Sequence, residues 1–288
     1  MSVGRPFIGI SGWRYKGWRG DFYPKGLAQR LELSYAAERM NSVEINGSFY
    51  SLQRPTSFKN WAEQTPEDFQ FAVKGGRYIT HMLRLQNADR ALGNFFASGL
   101  LALGRRLGPV LWQLPERQQF DAEVLDAFCA QLPRTTAAAA EVGRGHDDKL
   151  KSEPELAVPE VLPIRHALEV RHASFDSAEC EEILRRHRVS LVVSDGAEKW
   201  PMLRRVDTSD FVYVRLHGGS ELYVSGYSAE ELRVWAEEVL GWLDGTGCSD
   251  GLPRDVFVYF DNDVKGFAPW DALELQRRVQ EGLAARAG

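Results

Sequence analysis

The chain has 288 residues, 44% of them hydrophobic and 26% charged, with a formal net charge of −5. A chain of this length buries about 75% of the surface its unfolded form exposes, so it folds without needing disulfides or a structural metal. The acidic balance argues against a dedicated nucleic-acid binder, and no run reaches the ~18 apolar residues of a membrane-spanning helix.

The opening MSVGRPFIGISGW lacks the long apolar stretch of a secretory signal and reads as a strand, 7–13. Apolar residues at helical spacing follow over 27–40, then a β-rich run, SVEINGSFY (42–50), and another, FQFAVK (69–74). A helix is expected over 87–107, with Arg105 and Arg106 near its end where cations suit the dipole, then the run PVLWQL (109–114). Residues 134–163 hold an alanine run, GRGHDDK and three prolines; they read as an irregular, mobile insertion, with a lid as the sharper alternative. Beyond it come HALEVRH (166–172), an Asp176–Glu179 capping box, VSLVVSD (189–195) and FVYVRLH (211–217). A Ser228–Glu231 capping box opens a helix to about Leu243, and VFVYFDN (256–262) is the last run. Eight β-runs alternating with helical stretches predict a single domain of α/β class, a (β/α)8 TIM-type barrel. Cys129, Cys180 and Cys248 are far apart and form no CxxC, the usage of a reduced, cytoplasmic protein.

Alternation along each strand sorts residues between the helix layer and the barrel axis. Val43, Ile45, Leu168, Val170, Val212, Val214 and Leu216 take the helix side. Glu44, Asn46, Lys74, Gln113, Glu169, Arg171, Tyr213, Arg215, His217, Tyr259 and Asp261 are then directed inward, with Asp195 at a strand end. Barrel interiors are ordinarily filled by Val, Ile and Leu. Charges there must be paired with one another, wet or bound to a ligand.

The segments IGISGWRYKGWRGDFYP (8–24), VEINGSFY (43–50), FAVKGGRYITH (71–81), GPVLWQLP (108–115), LEVRHASF (168–175), VYVRLHGG (212–219), SGYS (225–228) and VYFDNDVKGFAPWDAL (258–273) resemble the YecE-like family of barrel proteins, a domain-of-unknown-function family. The resemblance spans nearly the whole chain in order and implies a TIM barrel with a pocket at the strand ends, but no reaction. Phe175 stands where the family usually has Trp, and Asp261 precedes Asn262 where it usually has two asparagines. The second departure adds a carboxylate to the expected pocket.

Several inward cations imply an anionic ligand, because guanidinium matches phosphate and carboxylate. Lys74, Arg77, Arg171 and Arg215 are the expected anion contacts, with Asn46, Gln113, Asn262 and the Gly218 amide as polar partners. Trp13 and Tyr50 are the aromatics expected to touch a ligand; Trp18, Phe22 and Tyr23 crowd the same loops, where packing is the competing role. Glu44, Glu169, Asp195 and His217 are the candidate acid–base groups, the carboxylates having structural pairing with Arg as their alternative. His81, His172 and His217 stand at or after strand ends, but HxH and HExxH are absent. No metal ligands are therefore assigned and no cofactor is expected, a divalent ion being the alternative. Three classes stay open. The leading one is a hydrolase or isomerase using acid–base chemistry on a phosphorylated sugar or nucleotide-like anion. The others are a metal-assisted phosphoesterase or nuclease, and a non-catalytic module for nucleic acid or a phosphometabolite. The expected partner is a small anionic, phosphate-containing ligand, with nucleic acid less favoured and no membrane.

Overall fold

A computed structural model describes residues 3–287. Its strands are β1 (Pro6–Ser11), β2 (Ser42–Ile45), β3 (Gln70–Lys74), β4 (Leu107–Gln113), β5 (His166–Glu169), β6 (Val189–Leu191), β7 (Val193–Asp195), β8 (Phe211–Leu216) and β9 (Asp255–Phe260). They hydrogen-bond in the order β6-β5-β4-β3-β2-β1-β9-β8-β7. Only Val192 parts β6 from β7, so the eight expected runs account for the described strands. Pairings such as β1–β9, β4–β5 and β8–β9 are parallel, as strands joined through helices must be. The fold is α/β, of the TIM-barrel type. The helices are α1 (Glu32–Ala37), α2 (Gly47–Tyr50), α3 (Pro55–Glu63), α4 (Asp89–Ala97), α5 (Ala122–Gln131), α6 (Thr136–Gly143), α7 (Ala178–Arg186), α8 (Ala229–Asp244) and α9 (Ala268–Ala287). Two compact units share these elements, one made of residues up to Val43 and from Ser190 onward, the other of Glu44–Val189.

In the first unit, alternation places Phe7, Gly9 and Ser11 of β1 on the same face as Phe211, Tyr213 and Arg215 of β8 and Phe257 and Tyr259 of β9. This face is layered. Phe7 stacks on Phe257 at 4.5 Å and Phe211 meets the same ring edge-on at 5.9 Å. One level further along the strands, Tyr213 lies 5.2 Å from Tyr259, whose hydroxyl is 2.6 Å from Ser42 Oγ. The next level is ionic, formed by Ser11, Arg215 and Asp261. Gly9 is required here: a Cβ would come 1.8 Å from the Ser42 carbonyl oxygen. The opposite face, with Ile8, Ile10, Val212, Val214, Val256 and Val258, is buried and apolar. α8 opens with the expected capping box, the Ser228 hydroxyl and the Glu231 carboxylate each accepting from the other's backbone amide.

In the second unit, Leu111, Gln113, Ala167 and Glu169 share one face of β4 and β5, where Gln113 is in register with Glu169. Trp112 and His166 take the other face, and the indole packs on Phe95 of α4 and Phe128 of α5. The Trp112 Nε1–H donates to His166 Nδ1 at 3.2 Å, which leaves the protonated Nε2 to donate to the Pro133 carbonyl at 2.8 Å. Full burial pushes the His166 pKa down to about 3.

Several elements differ from the sequence expectation. The first strand ends at Ser11 rather than Trp13, and the second ends at Ile45 because residues 47–50 turn into α2. There Ser48 Oγ donates toward the Ile45 and Lys74 carbonyls and fixes the bend. The helix expected over 87–107 is α4 followed by a kinked 3-10 segment, Leu100–Arg106. It breaks at Gly99, whose φ of +120° and close approach to Pro55 admit no side chain. The cap of α7 is Ser177, not Asp176: the Ser177 hydroxyl accepts from the Cys180 amide. Within the 134–163 stretch only residues 136–143 are helical, and 144–163 hold turns, bends and an isolated bridge. Its alanine run is α6, capped by Thr135 and packed on α4. Its two ends meet through Thr136 N–Leu162 O and Ile164 N–Arg134 O hydrogen bonds, both 2.9 Å.

Candidate functional site

The first unit gathers Arg215, His217, Ser11 and Asp261. Arg215 is 0% exposed; its Nη2 donates to Asp261 Oδ2 at 2.8 Å and to Ser11 Oγ at 3.1 Å. His217 Nδ1 lies 3.1 Å from the same Asp261 oxygen, while Nε2 faces Arg215 Nη1 at 3.4 Å. A guanidinium beside Nε2 favours that nitrogen as acceptor. Trp200 and Tyr223 pack edge-on against the imidazole at 5.4 and 5.3 Å.

Asp195, at the end of β7, belongs to a second chain of contacts. The Gly218 amide donates to the Tyr227 hydroxyl at 3.1 Å, and that hydroxyl donates to Asp195 Oδ2 at 3.1 Å. Burial raises the Asp195 pKa, opposed by the Ala197 amide and Tyr227 hydrogen bonds. Asn262 Nδ2 donates to Asp271 Oδ2 at 2.8 Å and to the Ser225 carbonyl at 3.0 Å, which clasps the segment between Gly218 and Ser228. The Tyr227 amide donates to that Asp271 oxygen as well, at 3.2 Å. Trp13 is buried, and its carbonyl accepts from the Tyr23 hydroxyl at 2.7 Å. Trp18, Phe22 and Tyr23 are buried among Tyr35 and Trp270, so these rings pack against one another.

The second unit holds Glu44, Asn46, Tyr50, Lys74, Arg77, Gln113, Glu169 and Arg171. Arg171 grips Glu169 through Nε and Nη2, both 2.9 Å from Oε1. Lys74 Nζ stands 4.6 Å over the Phe49 ring. His81, in the single turn Tyr78–Met82, meets the same ring edge-on at 5.1 Å. Burial lowers the His81 pKa, Lys74, Arg77 and Arg171 lower it further in that order, and Glu169 opposes them. The imidazole is therefore neutral near pH 7. Glu44 is fully buried on β2, Asn46 sits half-buried at the start of α2, and Arg77 is exposed. Tyr50 is 72% exposed, on a helical turn rather than a strand. His172 caps the 173–175 turn, its Nδ1 accepting from the Ser174 amide at 3.2 Å.

Sequence reasoning missed Tyr227 and Asp271, and it weighed His81 only as a metal ligand. Tyr227 lies inside the SGYS segment, the one signal that could have drawn attention to it.

Among the described residues, Asp207, Cys248 and Asp250 bring potential metal-ligand atoms within 4.8 Å of one another. They do not suit a cation. Arg254 lies among them, with Nη2 2.6 Å from Asp250 Oδ2 and 3.3 Å from Asp207 Oδ1, and its hydrogen bonds hold the Asp250 pKa down at about 2. Burial raises the Cys248 thiol above its ordinary value, away from the thiolate a metal requires. No helix of the described residues is long and apolar enough to cross a membrane.

The family model described as "Protein of unknown function DUF72" matches residues 7–287. The chain belongs to the DUF72 family. Among curated relatives, it is 34% identical over 114 residues to UPF0759 protein YunF of Bacillus subtilis, a stretch covering 38% of this chain and 39% of that protein. It is 30% identical over 109 residues to UPF0759 protein YecE of Escherichia coli K12, covering 38% and 37%. The matched stretch thus spans under two fifths of the length of these relatives. Among solved structures, a DUF72 family protein from Thermotoga maritima superposes with a TM-score of 0.73 at 26% identity, covering 96% of this chain and 99% of that one. A DUF72 family protein from Enterococcus faecalis V583 shares the fold, with a TM-score of 0.66 at 18% identity and coverage of 97% and 99%.

Proposed function

We propose that this DUF72 protein is a hydrolase or isomerase that binds a small phosphorylated anion and works on it by acid–base chemistry. The observation that carries this reading is the cationic group of the second unit: Lys74 and His81 contact the same Phe49 ring, and Arg77 and Arg171 join Lys74 in lowering the His81 pKa beyond the effect of burial. Two guanidinium forks and an ammonium suit phosphate oxygens. A neutral imidazole beside them is a general base competent near pH 7. Glu169, oriented by Arg171 and in register with Gln113, is the carboxylate of this group. Glu44 and Asn46 of the same unit are further candidates. Asp195 and His217 remain proposed proton-transfer groups of the other unit, where Trp13, Arg215, Gly218 and Asn262 are proposed contacts. The Arg254 cluster gives no support to a metal-assisted reaction. Three buried thiols accord with a cytoplasmic setting.

The test is a titration with inorganic phosphate followed through the His81 imidazole signals by NMR. A bound anion offsets the three cations, so the His81 pKa should rise as phosphate is added. Arg77→Gln, at an exposed position, should weaken phosphate about tenfold, the value of one charged hydrogen bond. An imidazole indifferent to millimolar phosphate would overturn the reading.

A further inference from the structure

Beside the cation group, Tyr50 presents an aromatic ring that the acid–base reading does not use. It is 72% exposed, and among the described residues its ring contact is the edge of Phe49 at 5.1 Å. That same Phe49 ring carries Lys74 Nζ at 4.6 Å and His81 at 5.1 Å. Tyr50, Lys74 and His81 thus all contact one phenylalanine ring, near enough together for one small phosphorylated molecule to bridge. Tyr78, 45% exposed with Lys149 Nζ 4.9 Å from its ring centre, adds a second ring and another cation in the same unit. Aromatic rings with an open face next to cations fit a ligand that combines a phosphate with a flat base. A sugar phosphate would use the cations and leave Tyr50 idle.

We propose that the ligand of this site is a nucleoside monophosphate group, its phosphate held by Lys74, Arg77 and Arg171 and its base stacked on Tyr50. This rests on the anion-binding reading above and narrows its substrate class. The group can reach the site as a free nucleotide or as one unit of a single strand. Both carry the same phosphate and base, and the experiment separates them.

Inorganic phosphate, ribose 5-phosphate, AMP and a short single-stranded oligonucleotide are titrated into the full chain by calorimetry. AMP should bind at least fivefold more tightly than ribose 5-phosphate, within the range that one base–aromatic stack provides. Tyr50→Ala should erase that ratio and Tyr50→Phe should keep it. An oligonucleotide that binds more tightly than AMP per site points to the polymer; equal or weaker binding points to the free nucleotide. If phosphate binds but AMP and ribose 5-phosphate bind equally, the stacking proposal fails and the anion site stands. If phosphate itself does not bind, the underlying reading fails as well.

Discussion

Replacing Arg215 by Met tests whether the ionic layer of the first unit is part of the scaffold. The variant keeps an apolar stem of similar length and deletes the guanidinium. It loses a 2.8 Å charged contact to Asp261 and a 3.1 Å hydrogen bond to Ser11. Breaking a buried pair from one side costs about 3–5 kcal/mol, because the other charge is left behind. Asp261 is 14% exposed on its side chain, which places the expected loss at the lower end, about 3 kcal/mol. With a denaturant slope of about 3 kcal/mol per molar for a chain this size, the urea midpoint should fall by about 1 M. The double variant Arg215→Met/Asp261→Leu removes both charges and should recover most of that midpoint, since a buried ion pair replaced by apolar groups is close to neutral. Phosphate affinity is measured on the same proteins. An intact midpoint, whatever the phosphate affinity, would refute the reasoning: the guanidinium would then be no part of the scaffold and serve only as the proposed ligand contact.

Two further outcomes follow from the packing. His166 has a folded-state pKa of about 3 against about 6.5 in the unfolded chain, so the unfolded chain takes up the proton first. Its stability contribution is intact above about pH 6.5 and is lost progressively as pH falls toward 3; His166→Gln, which keeps an acceptor for Trp112 and a donor for Pro133, should flatten the fall in urea midpoint between pH 7 and pH 5, and equal slopes in parent and variant would contradict this assignment. Gly9→Ala drives a methyl into the Ser42 carbonyl and should abolish soluble, folded protein, whereas Gly17→Ala, with nothing within 4 Å of the new carbon, should be neutral by thermal melting.

Strand alternation was legible because it is local. The placing of Tyr213 and Arg215 on one face follows from a period of two, and the contacts to Tyr259, Ser11 and Asp261 bear it out. Element ends were less legible. Residues 46–50 carry strand-like aromatics, but Ser48 pins the chain into a turn through carbonyls on two different strands, one of them 26 residues away. The alanine run of α6 has no apolar–polar periodicity to detect, since alanine fits a buried or an exposed helix face equally well. Partnerships such as Asp195 with Tyr227, 32 residues apart, are tertiary facts with no signature in spacing. Likewise the lowered pKa of His81 comes first from burial and then from cations on β3, just after it and after β5.

The clasp between Arg134 and Ile164 has a meaning for how this chain could have been assembled over time. Closing an excursion of this length costs about 3 kcal/mol of chain entropy. The packing of α6 on α4 and the Asn94–Asp147 hydrogen bond offset that cost. Because the two stems lie side by side at 2.9 Å, a short link could join them directly, and the route from β4 through α5 to β5 would survive without the intervening residues. The excursion is thus a detachable accessory, one that a lineage could lengthen, shorten or discard while the strands around it kept their register.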